Sequence, residues 1–320
     1  MVETGTHIDV AANLLKQGKV VAIPTETVYG LSGNALNPEA VAEIYTVKNR
    51  PSFNPLIVHT NALHRLHPYV QNIPDTAHRL AQQFWPGPLT LLLEKTALIP
   101  EMVTAGSARV AVRIPRHPLT QRLLSMLDFP LVAPSANPSG YVSPTTAAHV
   151  AEQLGQKIPY ILDGGPCFVG VESTIVSFED QRLVVYRWGG VSQEELQRFV
   201  GPAVPVVFHT SQTGTLAPGM LSSHYSPRQP VVIGNMANLL KHYVAAQVGV
   251  LSFRDTYPQV AAAYQVALSP TGDLAEAAQR VFAALRYLEK LPITCILAEL
   301  VPNIGIGRAI NDRLQRAAAA

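Results

Sequence analysis

Cysteine is nearly missing from this 320-residue chain, which holds only Cys167 and Cys295. The two lie far apart and in no CxxC arrangement, so the sequence offers neither a zinc motif nor a disulfide framework, and a reducing cytoplasm is the expected compartment. Charge is sparse too. Asp, Glu, Lys and Arg make up 14% of residues, and 24 cations against 22 anions leave a net charge of +2. That balance removes the overall basic field expected of a nucleic-acid-binding domain, while a local basic pocket stays open. The longest apolar runs, such as "LTLLLE" and "ITCILAEL", fall far below the ~20 residues that span a bilayer. No basic-then-apolar leader opens the chain, so a soluble protein without membrane attachment is expected. Also missing are GxSxG, HExxH, GxxxxGK[ST] and the protein-kinase motifs, which argues against covalent serine, zinc-peptidase, P-loop and kinase chemistry.

What is present describes a compact globular chain. It is 48% hydrophobic and contains 26 prolines, a composition of fixed loops around a core, and its length suits two domains of roughly 100 to 200 residues each. From Ile8 to about Arg187, short apolar runs such as "VVAIP", "PLIVH" and "RVAVRIP" alternate with helical patterns such as "PEAVAEIYTVK" and "DTAHRLAQQFW". Alternation of this kind predicts an α/β domain with helices packed on a mixed sheet. "STIVSF" and "LVVYRWGG" follow with no helix between them, so that part of the sheet should be antiparallel.

After "SQEELQRFVG", read as a closing helix, comes a stretch rich in Pro, Gly, Ser and Thr that reads as a linker. Beyond it three apolar runs and two helical patterns predict a smaller α/β unit. The expected divisions are residues 1–205, a linker at 206–229, and a second domain at 230–320. "VVIGNMANLL" carries no GxGxxG, which argues against a dinucleotide site there.

One stretch raises the question of chemistry. "YTVKNRPSFNPLIVH" sets Lys48 and Arg50 two residues apart before Pro51. A residue preceding proline is pushed out of the helical region, so the helix from Pro38 should stop near Lys48 and Arg50 should be extended. In extended chain, residues i and i+2 share a face, so the two cations can converge on an anion; the alternative is two unrelated solvated cations. Other polar residues fall where strands should end: Thr25 to Thr27, Asn54, His59, Arg113, Ser135 with Asn137, Glu172 with Ser173, and Arg187. Open α/β sheets bind ligands at the carboxyl ends of strands, so these segments can gather around one cleft. Taken singly, each also fits a plain turn or a local ion pair.

Taken together, "PTETVYGL", "KNRPSFNPLIVH", "WPGPLT", "VAVRIPRHP", "APSANPSG", "DGG", "GVESTIV" and "YRWGG", in this order, closely resemble the YrdC/Sua5 family of threonylcarbamoyl-AMP synthases. The resemblance is dense over roughly residues 8 to 200. It continues in "APGMLSSHYSP" and more loosely in "GIGRAINDRLQRAA", which look like the longer, two-domain Sua5 form. It implies a YrdC-like twisted mixed open sheet, followed by a linker and a smaller Rossmann-like α/β domain.

It also implies a nucleotidyltransferase that condenses L-threonine, bicarbonate or CO2, and ATP into threonylcarbamoyl-AMP and pyrophosphate. The adenylate would feed a downstream machinery that makes the t6A modification of tRNA. On matching positions, Lys48 and Arg50 resemble the catalytic anion clamp, and Arg50, Asn54, Ser135, Asn137, Arg187 and Tyr225 resemble ATP contacts. Thr27, His59, Arg113 and Ser173 resemble threonine contacts, and the segment around His224 and Tyr225 resembles a cover over the cleft. Mg2+ is expected with the triphosphate, with no dedicated protein metal site. The carbamate is itself the nucleophile, which accounts for the missing covalent signatures.

Two rival readings have their own discriminators. A double-stranded RNA or ribosome-binding module would need a basic concave face, against which the near-neutral charge counts, although direct RNA contact stays open. A carbamoyl transferase of the hydrogenase-maturation kind, which contains a related domain, would need zinc-finger cysteine pairs that two isolated cysteines do not supply.

Overall fold

The computed structural model describes residues 2–209, 217–219 and 224–319. Two sheets organise them. The larger has twelve strands among the described residues. From one edge its order runs Glu3–Gly5, Tyr160–Leu162, Val21–Ile23, Gly30–Asn34, Leu131–Val132, Ile57–His59, Arg109–Arg113, Leu89–Lys95, Thr174–Glu179, Arg182–Arg187 and Val206–Phe208, with Val70–Gln71 pairing the far end of Leu89–Lys95. The sheet is mixed: Ile57–His59 runs parallel to Arg109–Arg113, whereas Leu89–Lys95 runs antiparallel to it. Thr174–Glu179 and Arg182–Arg187 form the antiparallel pair that the missing helix predicts.

Local chemistry explains the helices. Pro38–Lys48 starts with proline in the first turn, and the Asn37 side chain accepts from the N–H groups of Glu39 and Ala40, satisfying donors that a helix start leaves orphaned. Gln193–Val200 opens on a full capping box between Ser192 and Glu195. A side-chain cap recurs in the second unit, where the Asp273 carboxylate accepts from the N–H groups of Ala275 and Glu276 at the start of Leu274–Leu288.

The smaller sheet is all parallel, in the order Val231–Ile233, Cys295–Ala298, Val248–Ser252, Gln265–Ala267. Leu274–Leu288 and Gly307–Ala318 pack beside it, giving the small Rossmann-like unit. Among the described residues, no helix is long and apolar enough to cross a membrane.

The two units share a core. Val28, Val142, Val171 and Tyr225 pack in one cluster with Val281, Phe282, Ile310 and Leu314. Gly170, at φ +82°, lies so close to the second unit that an added Cβ would sit 2.2 Å from the Ala278 carbonyl oxygen, so only glycine fits this approach. Arg286, 2% exposed, donates across the boundary to the Val142 and Ser143 carbonyls and to Gln153 Oε1.

Two local readings need revision. Residues 206–208, placed in the linker by composition, form a strand parallel to Arg182–Arg187, with Leu183 opposite Val206. Much of the remaining linker, residues 210–216 and 220–223, lies outside the described residues. Lys48 and Arg50 do not share a face of extended chain: the helix does end at Lys48, but Asn49 caps it in the left-handed region at φ 49°. That residue, rather than strand alternation, redirects the chain.

Candidate functional site

The register of Ile57–His59 against Arg109–Arg113 places His59 beside Arg113 at the carboxyl ends of two parallel strands. Around them lies a cleft also lined by Thr27, Arg50, Ser135, Glu172, Ser173, Arg187, Pro218, Gly219, His224 and Tyr225. Its cavity is about 40 Å³. A larger cleft of about 750 Å³, lined in part by Leu91, Leu93, Arg109 and Phe178, lies toward the opposite end of Arg109–Arg113 and gathers none of these residues.

Three buried guanidinium groups dominate the wall. Arg50, 9% exposed, donates to the Asn54 and Pro55 carbonyls and to Asn54 Oδ1 at 2.6 Å. Burial pulls its pKa down to about 10, because a low-dielectric site disfavours the charged form. Arg187 donates to the Ser173 carbonyl from Nε and Nη2 at 3.1 and 3.0 Å, to Ser173 Oγ at 3.1 Å, and to the Pro218 carbonyl at 3.2 Å. Burial lowers its pKa as well. Gly189 lets the chain beyond Arg187 fold against this segment: a Cβ there would lie 2.2 Å from the Glu172 carbonyl oxygen.

Arg113 differs from expectation in having a partner already. Its Nη2 lies 2.7 Å from Glu26 Oε1, with the two side chains 5% and 0% exposed, and its Nε donates to the Gly87 carbonyl. The ion-pair distance is short, but the two atoms are not aligned as a hydrogen bond. The other Glu26 oxygen accepts from the Arg116 N–H at 2.9 Å.

His59 is buried and its pKa is driven down to about 3, first by burial and then by the Arg113 charge. The ring is therefore neutral near pH 7. Its Nδ1 lies 2.9 Å from the Ile57 carbonyl, which can only accept, so Nδ1 carries the proton and Nε2 is left as an acceptor. Thr25 caps the turn before the cleft, donating to the Val28 carbonyl and accepting from the Thr27 and Val28 N–H groups. That turn presents Thr27, whose hydroxyl meets Thr25 Oγ1 at 2.8 Å. Ser173 Oγ pairs with Thr90 Oγ1 at 2.7 Å.

Lys48, Asn54 and Asn137 stand behind the wall. The Lys48 ammonium, 1% exposed, donates to the Ser135 and Asn137 carbonyls and so holds the "PSANPSG" loop. Burial, then the Arg50 charge, lowers its pKa well below the usual lysine value. Asn137 donates to the Pro138 and Tyr141 carbonyls.

Beyond the Arg113–Glu26 ion pair, some buried polar atoms here meet no hydrogen-bond partner among the described residues: Asn54 Nδ2, Asn137 Oδ1 and His224 Nδ1. Buried polar groups are nearly always paired, so such a group of exceptions points to a ligand or to water. Tyr225, 1% exposed and at φ 64°, packs its ring 5.6 Å from that of Phe282 and 4.1 Å from that of His224.

Sequence reading gave no role to Arg313. This residue of the last helix is 0% exposed, and its Nε lies 2.8 Å from Glu172 Oε2. The signal was a cation on the apolar stripe formed by Ala309, Ile310, Leu314 and Ala317, all buried in the structure.

The fold and site together define an α/β protein of two units whose cation-lined cleft at strand ends is suited to an anionic ligand. The Sua5/YciO/YrdC model, described as telomere recombination, matches residues 13–189, and the model of the threonylcarbamoyl-AMP synthase C-terminal domain matches residues 191–319. The chain belongs to the Sua5/YrdC family, in its two-domain form.

It is 39% identical to threonylcarbamoyl-AMP synthase of Pyrococcus abyssi, over 97% of this chain and 93% of the relative. It is 41% identical to that of Bacillus subtilis, over 96% and 92%. The crystal structure of P. abyssi Sua5 complexed with L-threonine superimposes with a TM-score of 0.91 at 36% identity, covering 99% of this chain and 97% of that one.

Proposed function

We propose that the chain is an L-threonylcarbamoyladenylate synthase, a nucleotidyltransferase using L-threonine, bicarbonate or CO2, and ATP. The observation that carries the reading is the convergence of Arg50, Arg113 and Arg187 on one cleft, in a chain similar along its length to such synthases. The neutral threonine amine forms a C–N bond to CO2, releasing a proton to solvent, or to bicarbonate, releasing water, and gives a carbamate in either case. A carbamate oxygen then attacks the α-phosphorus of ATP, and the bond to pyrophosphate breaks.

Three anionic pieces must share the cleft, and fixed cations offset their repulsion while charge moves onto pyrophosphate. In this reading Arg50 and Arg187 face the nucleotide with Ser135, while Lys48, Asn54 and Asn137 hold the surrounding loops. Arg113 takes the threonine carboxylate on the edge left free by Glu26, a pairing suited to its planar fork. Thr27, His59 Nε2 and Ser173 supply polar contacts to the rest of the amino acid. Glu26 and Glu172 both pair with arginines, and among the described residues no three His, Cys, Asp or Glu side chains gather as metal ligands. We place Mg2+ with the ATP substrate, held by phosphate and water.

A cleft of about 40 Å³ is small beside the roughly 300 to 1,000 Å³ of ordinary small-molecule sites. In this reading residues 217–219 and 224–225, of which Pro218, Gly219, His224 and Tyr225 line the cleft, move outward to admit substrate and act as its cover. The product would pass to the t6A-forming machinery in the cytoplasm. Pyrophosphate release that needs threonine, bicarbonate, ATP and Mg2+ together tests the reading; RNA affinity without threonine-dependent ATP turnover would refute it.

A further inference from the structure

The last helix of the second domain carries a buried cation that reaches two residues lining the cleft, Glu172 and Tyr225. Arg313, on Gly307–Ala318, reaches Glu172 Oε2 at 2.8 Å and donates to the Trp188 carbonyl at 2.8 Å. Its guanidinium carbon lies 4.9 Å from the centre of the Tyr225 ring, within cation–π range. Glu172 lines the cleft, and its other oxygen accepts from Ser143 Oγ. The next residue, Ser173, is the one that Arg187 grips through both its carbonyl and its hydroxyl.

We propose that Arg313 is a positioning residue of the nucleotide site: it neutralises Glu172 and seats Tyr225, so that the second domain sets the charge of the cleft in the first. This rests on the synthase reading. Without Arg313, a buried carboxylate would face the incoming triphosphate, and like-charge juxtaposition disfavours binding. The groups facing Glu172 are Arg313 with Asp312 behind it, Arg187, Ser143, His224 and Tyr225. Burial acts to raise the Glu172 pKa, but the Arg313 and Arg187 charges and the Ser143 hydroxyl outweigh it and hold the group at about 2. His224 is held at about 3, chiefly by burial, and stays neutral from pH 5.5 to 8.

The test measures MgATP and threonine affinity by calorimetry, with pyrophosphate release, on the full chain and four variants. Arg313→Gln should weaken MgATP binding by about 10-fold or more and threonine binding far less, and Arg313→Lys should regain part of the loss. The double variant Glu172→Gln/Arg313→Gln should recover most of it, because no unpaired charge remains. Arg286→Gln is the control for simple docking: it cuts another buried link between the domains and should leave the ratio of ATP to threonine affinity unchanged. In Arg313→Gln alone, MgATP affinity should improve relative to wild type as pH falls from 8 to 5.5, since protonation of Glu172 removes the repulsion. Should Arg313→Gln fail to fold, the lysine and double variants carry the same comparison.

ATP affinity of Arg313→Gln within about twofold of an active wild type, a double variant no better than the single, or an equal selective loss in Arg286→Gln would each overturn the inference alone. A wild type that neither binds MgATP nor releases pyrophosphate would overturn the synthase reading with it.

Discussion

Removing the Arg113 guanidinium should have two separable effects. Arg113 and Glu26 form a pair with side chains 5% and 0% exposed, and truncating one member of a buried pair costs about 3–5 kcal/mol because the other charge is left uncompensated. Set against a total stability of roughly 5–15 kcal/mol, that loss should be plain in a urea melt of Arg113→Ala. The double variant Glu26→Gln/Arg113→Ala should regain most of it, since the remaining amide carries no charge.

Threonine affinity should not return with stability. A charge-assisted hydrogen bond contributes about 1.5–3 kcal/mol, so losing the carboxylate partner should weaken threonine binding roughly 10- to 100-fold in both variants. MgATP binding should change much less. Calorimetry on both ligands, beside the melts, reads the two effects. Equal weakening of threonine and ATP, or a double variant no more stable than the single, would refute the reasoning.

The same geometry sets three further outcomes. Arg50→Ala should lower pyrophosphate release by about 10² to 10³-fold, as loss of one fixed donor does, and near wild-type release in the folded variant would remove its role; Lys48→Ala should lower melting temperature and, through the loosened loop, turnover, because it frees the Ser135 and Asn137 carbonyls. Tyr225→Ala should expose residues 217–228 to protease and reduce adenylate retained per pyrophosphate released; unchanged retention would make Tyr225 an anchor rather than part of a cover. His59 and His224 have folded pKa values of about 3 against about 6.5 unfolded, so the unfolded state binds more protons below pH 6.5. Their contribution is present above pH 6.5 and lost as pH falls toward 3, by up to about 1.4 kcal/mol per pH unit for each; a urea midpoint flat from pH 7 to 4.5 would contradict it.

The parts legible in the sequence were local ones. Pro38 at a helix start and Pro51 after Arg50 bounded the helix Pro38–Lys48 to the residue, and the run of polar residues at strand ends located the cleft. The fate of Lys48 was not legible, because the carbonyls it meets lie 87 and 89 residues away and no local pattern encodes that meeting. Arg113 and Glu26 pair only through the packing of the sheet, and Arg313 reaches Glu172 across 141 residues. Val206–Phe208 escaped notice because three residues next to Pro205 carry no periodicity to read.

The central claim, that one cleft joins three substrates into an adenylate, is met most directly by isotope. Incubating the protein with ¹³C-bicarbonate, MgATP and L-threonine, quenching, and weighing the nucleotide products by mass spectrometry should reveal threonylcarbamoyl-AMP carrying one heavy carbon, and none when threonine is omitted. Threonyl-AMP without the carboxyl carbon, or ADP in place of an adenylate, would contradict the account.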